Sequence, residues 1–266
     1  MAHLSPVQQG TLQVGLFADN LKLPLREGIS TAAKFGADSF QMYTTRGEVL
    51  PENMSKEQRA AFRAFYEGTG MQLSAICADF GLGFVDPAKN EHLIPRMLEQ
   101  VDLAVDLGTS IITTHIGHVP EERNEVWETI RVALNTIGAY AEKKGIVLAT
   151  ETGPESGPVL RALLETLDNN ATRVNFDPAN LVMSGFDLDE AINALAPFIV
   201  HTHAKDGYKG PNGKGEAPLG SGDVPWKHYI ARLREVGYAG AFTIEREAGD
   251  DPIGDMRASI AFLRQF

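Results

Sequence analysis

A single cysteine among 266 residues leaves no partner for an intramolecular disulfide and fits a reducing compartment. That residue, Cys77, lies in the apolar run LSAICA and reads as a buried thiol rather than a nucleophile. No segment approaches the ~20 consecutive apolar residues that cross a bilayer. The N-terminal MAHLSPVQQG lacks the charged-then-apolar pattern of a secretion signal, so a soluble cytoplasmic protein with no membrane partner is expected. Basic residues are scarce as well: 24 Lys and Arg face 35 Asp and Glu, for a net charge of −11. Nucleic-acid binding draws much of its strength from basic side chains neutralising phosphates. No nucleic-acid partner is therefore expected, and a small neutral or weakly anionic molecule suits this field better. The dinucleotide fingerprint is incomplete, because Gly81-Leu82-Gly83 is followed by Phe, Val and Asp without the third glycine. No linker, low-complexity tract or charge block divides the chain, which predicts one domain over residues 1–266.

What the sequence does contain is a regular alternation. Eight short β-rich runs are expected as strands: TLQVGLF (11–17), DSFQMY (38–43), MQLSAICA (71–78), SIITTHI (110–116), GIVLATE (145–151), TRVNFD (172–177), FIVHTH (198–203) and AFTIE (241–245). Several are almost continuously apolar, as parallel strands covered by helices must be. Amphipathic stretches between them predict helices over Ser55–Gly68, Pro87–Gly108, Glu121–Lys144, Pro158–Leu167, Leu188–Leu195, Pro225–Val236 and Pro252–Leu263. The first of these opens with SKEQ, a capping-box pattern, and Gly108 is placed to end the second. Eight strand–helix units in this length favour a closed (β/α)8 TIM barrel over an open doubly wound sheet.

In such a barrel the active site forms at the C-terminal ends of the strands. Four late strands end on polar residues there: Glu151, Asp177, His203 and Glu245. Any one carboxylate at a strand end reads more simply as a helix cap or an ion-pair partner, and His203 alone as a core histidine. Four on consecutive strands are a different matter. Three carboxylates brought together repel, and one divalent cation resolves the repulsion. One imidazole with three carboxylates suits Mn²⁺ foremost, with Mg²⁺ and Co²⁺ close behind and Zn²⁺ as a further alternative.

Around this set lie candidates for substrate contact. His115 ends the fourth strand and faces the same mouth, with a satisfied strand-end histidine as the plain alternative. Lys205 offers a cation to a substrate oxygen, or else pairs with Asp206. Glu155 could bind a sugar hydroxyl or serve as a helix N-terminal acid. His201 points to the same side as His203 but one layer deeper. Phe17 is placed to form an apolar wall, and Trp226 reads as a helix–barrel packing residue.

The strings TETGPE (150–155), NFDPANL (175–181), HTHAKD (201–206), PLGSGDVPW (218–226) and GYAGAFTIERE (237–247) resemble the xylose isomerase-like barrel superfamily along the whole chain. That group includes sugar phosphate isomerases and epimerases, ketose 3-epimerases, inosose-processing enzymes and apurinic endonucleases. The resemblance implies a metal on Glu151, Asp177, His203 and Glu245, with Glu151 and Glu245 as the acid–base pair on opposite faces of a bound sugar. It also implies proton abstraction next to a carbonyl and an enediolate, and a homodimer or homotetramer. Asn180 stands where the endonucleases and ketose epimerases typically carry histidine. A neutral amide there can bind a substrate hydroxyl but cannot carry a proton. The loop after His203, DGYKGPNGKGEAPLG, lacks the Asp-x-His motif of the multi-zinc endonucleases, which argues against DNA repair. A metal-dependent sugar isomerase or epimerase acting on a ketose, aldose or polyol ketone is the expectation. A lyase or dehydratase acting on a keto-sugar, inosose or oxidised glycoside is its rival, and a catalytically silent sugar-binding barrel the third reading. No late-loop cluster of Arg and Lys announces a phosphate site, which favours an unphosphorylated substrate.

Overall fold

A computed structural model describes residues 12–211 and 213–266. Thr11, where the first expected strand begins, and the N-terminal MAHLSPVQQG lie outside the described residues. The strands β1 (Val14–Phe17), β2 (Ser39–Tyr43), β3 (Gln72–Cys77), β4 (Ile111–Thr114), β5 (Val147–Glu151), β6 (Thr172–Phe176) and β7 (Ile199–Ala204) follow one another as expected. A short hairpin of β8 (Asp206–Gly210) and β9 (Gly213–Ala217) then precedes the last barrel strand, β10 (Phe242–Ile244). The eight longer-range strands pair in parallel and close in the order β1-β10-β7-β6-β5-β4-β3-β2. Closure buries both faces of most strands, and Val14, Leu16, Phe40, Ile76, Ile112, Leu148, Val174 and Ile244 lie in one continuous core. That burial is the physical counterpart of the apolar runs read from the sequence.

Helices α1 (Leu25–Lys34), α2 (Lys56–Gly68), α3 (Pro87–Leu107), α4 (Glu125–Lys144), α5 (Gly157–Leu164), α6 (Pro178–Ser184), α7 (Leu188–Leu195), α8 (Trp226–Glu235) and α9 (Pro252–Leu263) accompany the strands. The capping box of α2 forms as expected, with Ser55 Oγ accepting from Gln58 N and Gln58 Oε1 accepting from Ser55 N. Gly108 ends α3 with φ +80°, a left-handed conformation that glycine adopts without penalty. Where the sequence places a helix start at Glu121, α4 begins four residues later, because the Asn124 side chain caps it at Trp127 N. Two helices escaped the pattern. The buried face of α1 is made of Gly28, Ile29 and Ala32, without a large side chain beyond Ile29, and α6 is only 7 residues long.

The segment read as an irregular loop after His203 is instead the antiparallel β8–β9 hairpin, with Lys209 opposite Lys214. Among the described residues, no helix is long and apolar enough to cross a membrane.

Candidate metal centre and active site

Strand geometry brings the four strand-end residues together. Glu151 is the last residue of β5, Asp177 follows β6, His203 lies near the end of β7, and Glu245 follows β10. One potential ligand atom from each lies within 4.8 Å of the others, and all four residues are buried. From His203 Nδ1 the nearest carboxylate oxygens are Glu245 Oε2 at 3.3 Å, Glu151 Oε1 at 3.6 Å and Asp177 Oδ2 at 3.7 Å. Asp177 also caps α6, its Oδ1 accepting from Asn180 N at 3.0 Å, while its Oδ2 is buried with no hydrogen-bond donor. A buried carboxylate oxygen left without a partner is costly. The orphaned oxygen, grouped with two further carboxylates and the His203 Nδ1, fits a divalent cation. The oxygen-rich donor set suits a hard or borderline ion.

The shell behind these ligands contains residues that sequence reasoning missed. His203 Nε2–H donates to Gln41 Oε1 at 3.1 Å, and the Gln41 amide in turn donates to Thr113 Oγ1 at 2.8 Å. This fixes the ring orientation with Nδ1 toward the carboxylates, the usual arrangement behind a ligating histidine. Asn175 Nδ2 donates to Glu151 Oε2 at 3.2 Å, and Asn175 Oδ1 accepts from His201 Nδ1 at 2.8 Å. His201 is completed by Thr243 Oγ1 at 3.1 Å and lies in the layer below, as its position two residues before His203 requires. Burial, with help from His203, drops the His201 pKa to about 3, so the ring stays neutral beneath Asn175.

The electrostatics are those of a cation site. Burial alone would neutralise all three carboxyls and the imidazole. Against it, His203 and Lys205 hold Glu245 well below the usual carboxylate range, and His115 and His203 lower Glu151. Burial prevails at Asp177, whose carboxyl is raised. Glu245 and Glu151 outweigh burial at His203 and push its imidazole well above the ordinary value. The field that attracts a proton there attracts a divalent cation more strongly.

The remaining expected residues surround this centre unevenly. His115 Nδ1–H donates to Asp79 Oδ2 at 3.1 Å, and its Nε2 stands 3.5 Å from Glu151 Oε1. The Glu151 carboxylate, then Asp79, raises the His115 pKa to about 10. Asn180 Nδ2 donates to Glu151 Oε1 at 2.9 Å and to the Thr152 carbonyl at 3.2 Å, so both amide protons are held by protein. Glu155 is buried, accepts from Val119 N at 3.2 Å, and has its Oε1 without a partner. Lys205 pairs with Glu245 at 2.9 Å and Glu247 at 3.1 Å. Its expected alternative partner was Asp206, and this is corrected: successive residues of an extended chain point to opposite sides. Asp206 instead accepts from Gly207, Gly220, Gly222 and Val224 N–H groups and the Trp226 indole. Phe17 is fully buried, with its ring 6.2 Å from that of His203 and 4.6 Å from Tyr43. Trp226 packs edge-on against Tyr229 and Phe262.

Comparison with known proteins fits this geometry. Residues 29–266 match the family model described as xylose isomerase-like TIM barrel. The chain belongs to that family. Among curated proteins, it is 26% identical over 244 residues to the L-ribulose-5-phosphate 3-epimerase UlaE of Escherichia coli strain SMS-3-5 / SECEC, covering 86% of this chain and 85% of that one. Among solved structures, a xylose isomerase domain protein from Planctomyces limnophilus superposes with a TM-score of 0.84 at 25% identity, covering 96% of both chains. The probable 3-DHS dehydratase AsbF of Bacillus anthracis shares the fold, with a TM-score of 0.79 at 17% identity over 95% of this chain and 98% of that one. Proteins of this xylose isomerase-like fold thus bear names from both isomerase and dehydratase chemistry.

Proposed function

We propose that the chain is a divalent-metal-dependent sugar isomerase or epimerase, acting on a ketose, aldose or polyol ketone, with Mn²⁺ the first candidate for its ion and residues 1–266 acting as one catalytic domain. The observation that carries this reading is the pair of buried glutamates, Glu151 and Glu245, in one cluster with Asp177 and His203; this supports a double role as ligands and as proton carriers. The epimerase name of the curated relative supports it.

Glu151, Asp177, His203 and Glu245 would hold the ion, which supplies charge stabilisation to a substrate carbonyl and its neighbouring hydroxyl. One glutamate removes the proton next to the carbonyl, giving an enediolate, and the other returns a proton to the opposite face or the adjacent carbon. Return to the same carbon gives the epimer; return to its neighbour gives the isomer. His203 and Lys205 keep Glu245 ionised, so it stands unprotonated before the substrate's C–H proton is removed. His115, half exposed beside Glu151, supplies hydrogen bonding to a substrate oxygen, and Asn180 and Glu155 complete that side. Lys205 is committed to two glutamates, Arg46 to Asp19 and Arg246 to Glu216 and Asp255, which favours an unphosphorylated sugar.

The test is a panel of ketoses and keto-sugars incubated with the Mn²⁺-loaded protein in D2O. Solvent deuterium should enter the carbon next to the carbonyl, and Glu245→Gln should slow turnover by roughly 10²–10⁴-fold. Unaltered turnover in that variant would defeat the proposal. A lyase or dehydratase is a second reading, favoured by the exposed His115 edge, which could protonate a departing oxygen. An unsaturated product absorbing in the ultraviolet would select it.

A further inference from the structure

Barrel register places Asp79, His115 and Glu151 in a row. Cys77 pairs with Thr113 across β3 and β4, and Thr114 with Thr150 across β4 and β5. Two residues beyond the first pair stand Asp79 and His115; one beyond the second stand His115 and Glu151. The histidine therefore has one carboxylate on each side. It donates Nδ1–H to Asp79 at 3.1 Å, a true hydrogen bond, whereas its Nε2 is 3.5 Å from Glu151 Oε1. That oxygen is already served by Asn180 Nδ2, so the Nε2 edge remains available to a ligand.

Asp79 is itself held. Its Oδ1 accepts from Gly81 N at 2.8 Å, which aims Oδ2 at the imidazole. The loops carrying the two residues meet backbone to backbone: Phe84 N donates to the Ile116 carbonyl at 2.9 Å. A Cβ added to Gly83 would lie 2.7 Å from Gly117 Cα, so the contact admits no side chain there. The Asp79 side chain is 20% exposed and that of His115 46% exposed, so the supporting carboxylate is the better buried of the two.

We propose that Asp79 is the positioning residue of the active site's fourth-strand histidine: it pins the proton on His115 Nδ1 and turns the Nε2 edge toward Glu151 and the substrate oxygen beside it. A carboxylate can only accept, so it selects one ring orientation and one protonated nitrogen. This deepens the metal-dependent reading above and rests on it for the substrate, though not for the ring geometry.

The decisive variant is Asp79→Asn. Its Oδ1 can keep the Gly81 N–H while its new NH2 group faces Nδ1, so the turn is preserved and the ring loses its acceptor. The full-length protein, labelled with 15N-histidine and loaded with Mg²⁺, reports the state of each ring nitrogen, with His115→Gln identifying the signals. In the wild type the Nδ1 proton should be bonded to the Asp79 carboxylate, shifted downfield and slow to exchange with water; in Asp79→Asn that signature should be lost. A wild-type Nδ1 that is bare or exchanges as freely as an exposed imidazole, or a variant that keeps the wild-type signature, would overturn the proposal. The wild-type measurement alone decides the matter should the variant fold poorly. Neither spectrum requires turnover, so failure of the sugar isomerase reading is distinguishable from failure of this one. With an active substrate, Asp79→Asn should lower kcat/KM by roughly 10–100-fold at unchanged metal content. Added to His115→Gln it should cost nothing further; fully additive losses would count against it.

Discussion

Glu155 is the carboxylate least reconciled with its charge. Its side chain is 2% exposed, one oxygen lacks a donor, and burial raises its pKa from 4.5 to about 7. A carboxyl whose folded pKa is raised carries no penalty below pH 4.5. The penalty grows between about 4.5 and 7 and is complete above. At about 1.4 kcal/mol per pKa step it amounts to about 3 kcal/mol. Glu155→Gln should therefore gain on the wild type by up to about 3 kcal/mol more at pH 8 than at pH 5, measured by urea unfolding. An equal difference at both values would show that the carboxyl is already ionised without cost. At this scale the sequence was legible where chemistry breaks a pattern. Acids closing apolar strands are conspicuous, and so Glu151, Asp177 and Glu245 stood out with His203. Gln41 and Asn175 did not, because an amide within a strand looks the same whether or not it orients a ligand. Asp79 was hidden by its loop, since only the register across three strands aligns it with His115.

Among elements, the β8–β9 hairpin is held at its base by two carboxylates, one on each strand. Asp206 gathers four backbone N–H groups and the Trp226 indole at its base. Glu216 pairs with Arg246 and accepts from the N–H groups of Glu247 and Ala248. The hairpin thereby braces the segment just after Glu245. Asp206→Ala would strand five buried or half-buried donors. It should cost at least about 3 kcal/mol in urea unfolding and open the 207–224 region to limited proteolysis. Wild-type stability with an unchanged cleavage pattern would contradict the anchoring role. The hairpin was invisible in the sequence because DGYKGPNGKGEAPLG carries no apolar alternation. Its strands are held by side-chain anchors, which leave no periodic trace. Long helices were readable for the opposite reason: α2, α3 and α4 each pair an apolar face with a capping residue at Ser55, Asp86 or Asn124.

At the scale of the molecule, three acidic side chains converge on one end of a closed barrel in a chain of net charge −11. A divalent ion that binds the folded state alone stabilises it by about 2.7 kcal/mol at a hundredfold excess over Kd. Chelation should then lower the melting midpoint by roughly 5–10 °C, and added Mn²⁺ should restore it. Identical midpoints with and without chelator in the wild type would rule the ion out as a structural partner. The barrel class was readable because parallel strands buried on both faces must be apolar, whereas the spatial order of the ligands is set by closure alone. One feature of that closure divides labour along the chain. All four candidate ligands come from β5 onward, while Phe17, Tyr43, Asp79 and His115 come from the first half. The two halves are accordingly separable in design. Loops after β2 and β3 could be exchanged with those of a relative to redirect substrate choice, leaving the ion's cage in place so long as Gln41 still faces His203.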